Sequence, residues 1–262
     1  MHILSWNING VRAAEKKGFH TWLLKASPDI LCLQETKTDP DQLPTSLRDL
    51  PGYHCTWNPA ERKGYSGTAT LSKQKPLAVH TGLGIKAFDK EGRILITEHP
   101  GFTLFNIYFP NGKKNKERLD YKMRFYDAFL DYIDHWRDTH GHVIIGGDFN
   151  TAHQEIDIAR PGPNSKISGF LPQERAWITT FIDHGYIDTF RAFNTKPDNY
   201  TFWDQRTKAR ERNIGWRIDY FFTDHGLLPH IKNAYIMPEI TGSDHCPIGI
   251  ELTLETRRKT RP

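Results

Sequence analysis

Apolar runs of strand length recur along the chain, at Ile3–Trp6, Ile30–Leu33, Gly67–Leu71, Arg93–Thr97, Phe102–Tyr108, Val143–Ile145, Ile218–Phe222 and Ile248–Leu252. Between some of them the apolar spacing changes to three and four residues, the period of a helix with one buried face. From Lys116 to Asp138 the positions Leu119, Met123, Tyr126, Leu130, Ile133 and Trp136 predict the clearest helix. Arg12 to Ala26 predicts another, with Phe19, Trp22 and Leu23 on one side. A third is expected over Pro172 to Phe181, where proline opens the first turn and Gln-Glu-Arg follows. Pro161, Gly162, Pro163 and Asn164 mark a loop from Arg160 to Ser168.

From Tyr53 to Tyr108 strands follow one another with no helix between, which a strictly alternating βαβ fold does not do. An α/β architecture of mixed sheets packed on each other, with helices outside, fits better. No Gly/Ser/Pro linker and no repeat of fixed period divides the chain. One domain is expected over residues 1–255, followed by a basic tail at 256–262.

Composition narrows the class. The 262 residues are 37% hydrophobic and 25% charged, with 12% aromatic, an ordinary globular balance. No run approaches the roughly 18 apolar residues of a membrane span. Met1–Trp6 reads as a strand with no basic region or apolar signal before it, so a cytoplasmic, intracellular location is expected. Three cysteines, Cys32, Cys55 and Cys246, are too few and too scattered for a disulfide framework or a zinc site. The net charge of +4 is local: Arg257, Arg258, Lys259 and Arg261 crowd the end, and Lys208, Arg210, Arg212 and Arg217 crowd one internal stretch. Tyr200, Phe202, Trp203 and Trp216 flank or interrupt that stretch, a mixture that suits phosphates and bases.

Chemistry collects beside the strands. Four strands run into polar signatures: Asn7-Ile8-Asn9-Gly10, Gln34-Glu35-Thr36-Lys37, Tyr108-Phe109-Pro110-Asn111-Gly112 and Gly147-Asp148-Phe149-Asn150. A fifth, Gly242-Ser243-Asp244-His245-Cys246-Pro247, precedes its strand. Singly, each has a plain structural explanation as a turn, a surface carboxylate or a core ring. Together they supply carboxylates, amides, a phenol and an imidazole, while phosphate-cradling glycine loops and serine elbows are missing. That inventory suits metal-assisted phosphodiester hydrolysis. Glu35 is the natural metal carboxylate with Asn7 as its amide neighbour. Asp148 can activate water, and Asn150 and Tyr108 can donate to phosphoryl oxygens. His245 can bind phosphate as imidazolium, held by a carboxylate such as Asp219.

These residues, with Gly-Tyr-Ser-Gly at 64–67 and Gly-Trp-Arg-Ile-Asp-Tyr at 215–220, resemble in content and order the exonuclease III family of abasic-site endonucleases. The similarity runs from residue 1 to about 252. It implies the DNase I-like four-layered α/β sandwich, two packed mixed β-sheets flanked by helices. It also implies a monomeric DNA-repair hydrolase that uses Mg²⁺ or Mn²⁺ to cut duplex DNA 5′ to an abasic site, with 3′→5′ exonuclease or 3′-trimming activity. By the same resemblance Glu35 and Asn7 hold the metal beside Asp148 and Asn150, and Asp244 and His245 serve a second metal position. Asp148, Asn150, Tyr108, His245 and Asp219 form the catalytic set. Asn111 touches the phosphate. Phe202, Trp216 and Ile218 wall the pocket for a flipped-out baseless sugar. Arg12, Tyr65, Arg93, Lys114, Arg118 and Arg206 grip the backbone or wedge the duplex. Two departures stand out: Asn9 replaces the Asp of animal members, and Lys114 and Arg206 replace Arg and Met at the wedges. A DNase I-like phosphoesterase with a non-DNA substrate, an enzyme also nicking at deoxyuridine, and a non-catalytic DNA-binding module are the competing readings. The last would be expected to lack one of Glu35, Asp148, Asn150, Asp219 or His245, and all are present.

Overall fold

The computed structural model describes residues 1–48 and 50–254, so the basic tail expected at 256–262 lies outside the described residues. Twelve strands are found among them: β1 His2–Asn7, β2 Ile30–Gln34, β3 His54–Asn58, β4 Thr68–Ser72, β5 Ala78–Thr81, β6 Ile94–His99, β7 Phe102–Tyr108, β8 Val143–Asp148, β9 Tyr186–Asp188, β10 Asp219–Asp224, β11 Ile231–Ile236 and β12 Ile248–Leu252. They form two six-stranded sheets, ordered β11-β12-β1-β2-β4-β3 and β5-β6-β7-β8-β10-β9. Each sheet has one parallel pair at its centre, β1 with β2 and β7 with β8; the other pairs are antiparallel.

Alternation along the strands builds the layers. Ile3, Ile30, Cys32, Phe102, Leu104, Ile144, Phe221 and Ile250 meet between the two sheets. Their neighbours Leu4, Leu31 and Leu33 turn the other way, onto the helices Val11–Glu15, Phe19–Ala26 and Thr45–Arg48. Phe105, Ile107, Val143 and Ile145 likewise face the helices Lys116–His140 and Pro172–Asp183. The result is helix, sheet, sheet, helix: the expected four-layered α/β sandwich. No helix among the described residues is long and apolar enough to cross a membrane.

Local differences have simple causes. The helix expected from Arg12 to Ala26 is two helices, because a tight turn closes at Lys17 and Gly18 and puts Gly18 at φ 92°. That backbone suits glycine and stops a continuous helix. The long helix runs two residues further than expected, to His140, and the third runs to Asp183. Within the expected loop at 160–168, Pro161–Asn164 forms one helical turn, with proline at its start. The edge strands β5 and β11 show no clear apolar run: three of four β5 residues are exposed, as are Lys232 and Asn233 in β11.

Candidate active site

The site forms where the carboxyl ends of the two parallel pairs come together. Asn7 ends β1, and Glu35 follows β2 directly. The pairing continues past the sheet, with Ile8 N–H on the Gln34 carbonyl and Gly10 N–H on that of Glu35. In the second sheet Tyr108 pairs with Asp148 and Asp148 with Asp219, so three adjacent strands set a phenol and two carboxylates in a row. Beneath them, Gln34 Nε2 donates to Asn106 Oδ1 at 2.8 Å and Asn106 Nδ2 to the Ala69 carbonyl at 2.7 Å, tying the sheets together.

The backbone is held in unusual conformations here. Asn9, Glu35, Lys37 and Asn150 all have φ between 47° and 52°, the left-handed region. Each such residue costs on the order of 1 kcal/mol or more, which the surrounding bonds must offset. Gly147 is required for a different reason: a β-carbon there would overlap the Ile107 carbonyl of the neighbouring strand.

Hydrogen bonds join the set in two groups, which approach each other through His245 and Asp148. Asn7 Nδ2 donates to Glu35 Oε1 at 3.0 Å and to Asp148 Oδ2 at 2.9 Å. Tyr108 OH donates to Glu35 Oε1 at 2.7 Å. Asn150 N–H donates to Asp148 Oδ1 at 2.7 Å, and Asn111 Nδ2 to Asn150 Oδ1 at 2.9 Å. His245 Nδ1 lies 2.8 Å from Asp219 Oδ2, which also accepts from Thr201 Oγ1 at 2.6 Å; His245 Nε2 is 3.9 Å from Asp148 Oδ2. Asp219 Oδ1 is buried with no partner among the described residues.

Burial and charge then set protonation. Burial, reinforced by Asp219, pushes the Asp148 carboxyl up to about 7. Burial works against a charged His245, but Asp219 and then Asp148 outweigh it and push the imidazole up to about 10. Glu35 is held below the usual carboxylate range: Lys37, 2.6 Å from Oε2, together with Asn7 and Tyr108, overcomes its burial. Burial and the adjacent Glu35 raise the Tyr108 phenol well above its ordinary value, so it stays a donor.

Asn7 and Asn150 turn their Nδ2 atoms toward the carboxylates of Glu35 and Asp148, and their side-chain oxygens accept from Asn9 N–H and Asn111 Nδ2. Ligand atoms of Asp148, Asp219 and His245 lie within 4.8 Å of one another, a buried acidic and histidine cluster. His245 stands in that cluster with its Nδ1 turned to Asp219. Asp244 lies beside it, its Oδ1 accepting from Asn9 Nδ2 and Ser243 Oγ.

Beside His245 the rings of Phe202 and Trp216 pack with Ala152, Ile158, Phe170 and Ile218 into a small apolar wall. The Phe202 ring is 4.9 Å from that of His245. A groove of about 820 Å³ opens next to Asn111, lined by Arg62, Tyr65, Lys113, Lys114 and Arg118 among others. Arg12, Lys114 and Arg206 are exposed. Arg93 is not available to a DNA backbone as expected: it is 2% exposed. Its guanidinium donates to Glu91 Oε2, the Tyr65 hydroxyl and the Tyr108 carbonyl, and lies 4.4 Å from the Tyr108 ring centre. Arg118 shares that network through a two-pronged contact with Glu91 and a bond to Tyr65 OH.

Sequence reasoning passed over several participants. Lys37, in the Gln34–Lys37 segment, pairs with Glu35 but looks like a surface lysine in the sequence. Lys113, beside Lys114, lies 5.0 Å from the Trp216 ring centre and 5.9 Å from that of Phe202. Thr201 holds Asp219, and nothing in its local sequence signals that.

Comparison with known proteins agrees with this geometry. Residues 4–245 match the model of the Endonuclease/Exonuclease/phosphatase family. An exodeoxyribonuclease of Bacillus subtilis is 43% identical over 97% of this chain and 100% of its own length. The DNA repair nuclease APEX1 of Danio rerio is 42% identical over 97% of this chain and 83% of its own. The structure of an AP endonuclease from Archaeoglobus fulgidus superposes with a TM-score of 0.89 at 28% identity, covering 97% of this chain and 100% of that one. With its fold, its ordered motifs and its full-length relatives in accord, the chain belongs to the Endonuclease/Exonuclease/phosphatase family.

Proposed function

We propose that this protein is a DNA-repair hydrolase that cuts the backbone of duplex DNA 5′ to abasic sites, and that it also removes nucleotides or blocking groups from 3′ ends. The observation that carries the reading is the linked set Glu35–Asn7–Asp148–His245–Asp219, placed between an apolar wall and a basic groove. Relatives named for exodeoxyribonuclease and DNA-repair nuclease activity support it, as does a Neisseria 3′ phosphatase, 28% identical, whose structure holds a product DNA hairpin.

Glu35 and Asn7, with Asp148 and Asn150, would hold Mg²⁺, or Mn²⁺ in its place; when bound, such an ion neutralises phosphoryl charge and stabilises the leaving oxygen. Asp148, with a carboxyl poised near neutrality, accepts the proton of the attacking water. His245, kept as imidazolium by Asp219, contacts a non-bridging phosphate oxygen. Tyr108 and Asn150 donate to the charge that develops there. Phe202, Trp216 and Ile218, packed into one apolar wall, receive a sugar that lacks a base. Asn111 contacts the phosphate, and Arg12, Tyr65, Lys114, Arg118 and Arg206 hold the flanking backbone and wedge the duplex.

The test is a duplex carrying one abasic site, incubated with the purified protein and Mg²⁺. Nicking on the 5′ side, leaving a 3′-hydroxyl, is expected, and EDTA should abolish it. An intact duplex with both Mg²⁺ and Mn²⁺ would overturn the reading. Rates on abasic, deoxyuridine, 3′-blocked and undamaged duplexes then rank the activities.

A further inference from the structure

Lys122 and Glu174 form an ion pair in which neither side chain has any solvent exposure. Lys122 projects from the long helix Lys116–His140, and Glu174 from the first turn of the helix Pro172–Asp183. Replacing such a pair with apolar side chains of similar volume is often neutral or stabilising, so stability alone gives little reason for it. What it touches gives a better one. Lys122 Nζ donates to the Asn150 carbonyl at 2.8 Å, to Thr151 Oγ1 at 2.8 Å and to Glu174 Oε1 at 2.6 Å, using all three of its hydrogens. Glu174 also accepts from Ser168 Oγ at 2.8 Å, Gly169 N at 2.6 Å and Leu171 N at 3.0 Å.

The two ends of the pair therefore grip two parts of the site. One is Asn150, whose left-handed backbone at φ 52° presents its side chain to Asp148 and Asn111. The other is the loop Ser168–Leu171, which carries Phe170 into the apolar wall. The two segments also bond directly, Ala152 N–H to the Gly169 carbonyl. Their approach is close: a β-carbon on Gly169 would come within 3.1 Å of the Trp216 ring and 3.3 Å of the Asn150 carbonyl oxygen.

We propose that Lys122 and Glu174 are positioning residues that lock the Asn150 turn to the wall of the sugar pocket, so that one buried pair sets both the rate of cutting and the preference for a baseless sugar. This rests on the function proposed above. An apolar pair of the same size fills the space but offers nothing to the Asn150 carbonyl or to the Gly169 and Leu171 amides. The turn and the loop then relax independently.

The decisive comparison is between Lys122→Met and the double variant Lys122→Met/Glu174→Met. The single variant buries an unpaired carboxylate and loses stability as well as activity. The double variant recovers the stability, and its kcat on the abasic duplex stays at least tenfold below wild type with KM within threefold. Its ratio of abasic cutting to digestion of undamaged 3′ ends also falls severalfold. Asp224→Asn, at the far end of β10 where Asp224 holds His142 and the Val143 amide, serves as the control for destabilisation alone and keeps the wild-type ratio. A double variant as stable as wild type that cuts at the wild-type rate and ratio overturns the proposal. If the double variant does not fold, Glu174→Gln carries the test: its side-chain amide cannot accept every bond Glu174 accepts, and an unchanged kcat and ratio overturn the proposal equally. A wild-type protein that leaves abasic DNA intact refutes the function reading instead. The crystal structure of Lys122→Met then tests the lock without substrate: Asn150 should leave the left-handed region, and an unmoved turn and loop overturn the lock.

Discussion

Two clusters of buried charge lie two residues apart on the chain and are built to opposite ends. Around Arg217, two guanidiniums meet two carboxylates. Asp157 accepts from Arg217 Nε at 2.7 Å and Arg191 Nη2 at 2.6 Å, and Asp188 accepts from Arg217 Nη2 at 2.6 Å. The charges cancel, and Arg217 and its partners hold the Asp157 carboxyl down at about 2 against its burial. Around Asp219 the balance fails. Asp148 and Asp219 share one imidazole, one oxygen of Asp219 has no partner among the described residues, and Asp148 is pushed up to about 7. A cluster that is neutral and fully bonded has nothing left to offer a substrate. One that is short of positive charge has a place for a cation and a carboxyl that can exchange a proton near neutral pH.

The largest expected effect would break that contrast if it failed. Asp148→Asn should lower kcat on an abasic duplex by about 10³-fold or more, the upper range for a general base together with its metal contact. Duplex affinity, measured without turnover, should survive. Equal losses of binding and cutting would place Asp148 among the structural charges. Next is Arg217→Met, which leaves buried Asp188 without its arginine and Asp157 with Arg191 alone, and should cost about 3–5 kcal/mol in urea unfolding. Activity per folded molecule should fall less than tenfold, and a catalytic loss as large as that of Asp148→Asn would erase the distinction.

Acidity separates the clusters more finely. The depressed carboxyl of Asp157 contributes stability that is present above the ordinary carboxylate value and lost as pH falls through about 2. The raised carboxyl of Asp148 has the opposite sign: its contribution is complete below the ordinary value and lost as pH rises through about 7. Unfolding measured from pH 4 to 8 should therefore show a decline in wild type that Asp148→Asn reduces. Identical slopes for both proteins would contradict the shift. The smallest effect concerns neither cluster. Affinity for undamaged duplex should weaken as salt rises, because the cations Lys113, Lys114 and Arg118 line the groove proposed to take the backbone. A dissociation constant indifferent to salt would remove the groove from the binding surface.

Much of this was legible in the chain. Runs of apolar residues located the central strands because strands buried on both faces are mostly apolar. Asn7, Glu35, Tyr108, Asp148 and His245 were visible because polar groups beside such strands are conspicuous. Less was legible at the edges, where β5 and β11 expose too many residues for a pattern to survive. Arg93 misled for a related reason. An arginine beginning a strand looks like a surface cation until Glu91, Tyr65 and Tyr108 close over it. Lys122 is one polar position among many on a long helix, and nothing local marks it as fully buried.

The sequence by itself determined the layers, the central strands and the kinds of chemical group present, because periodicity and residue type are local properties. Only the tertiary structure decided which charges neutralise each other and which are left in deficit. Asp157, Asp188 and Asp219 are the same residue type within one polar chain. Their fates diverge because folding gives the first two an arginine each way and gives the third a histidine shared with Asp148. That outcome depends on contacts between residues 26 to 97 positions apart, which no local pattern encodes.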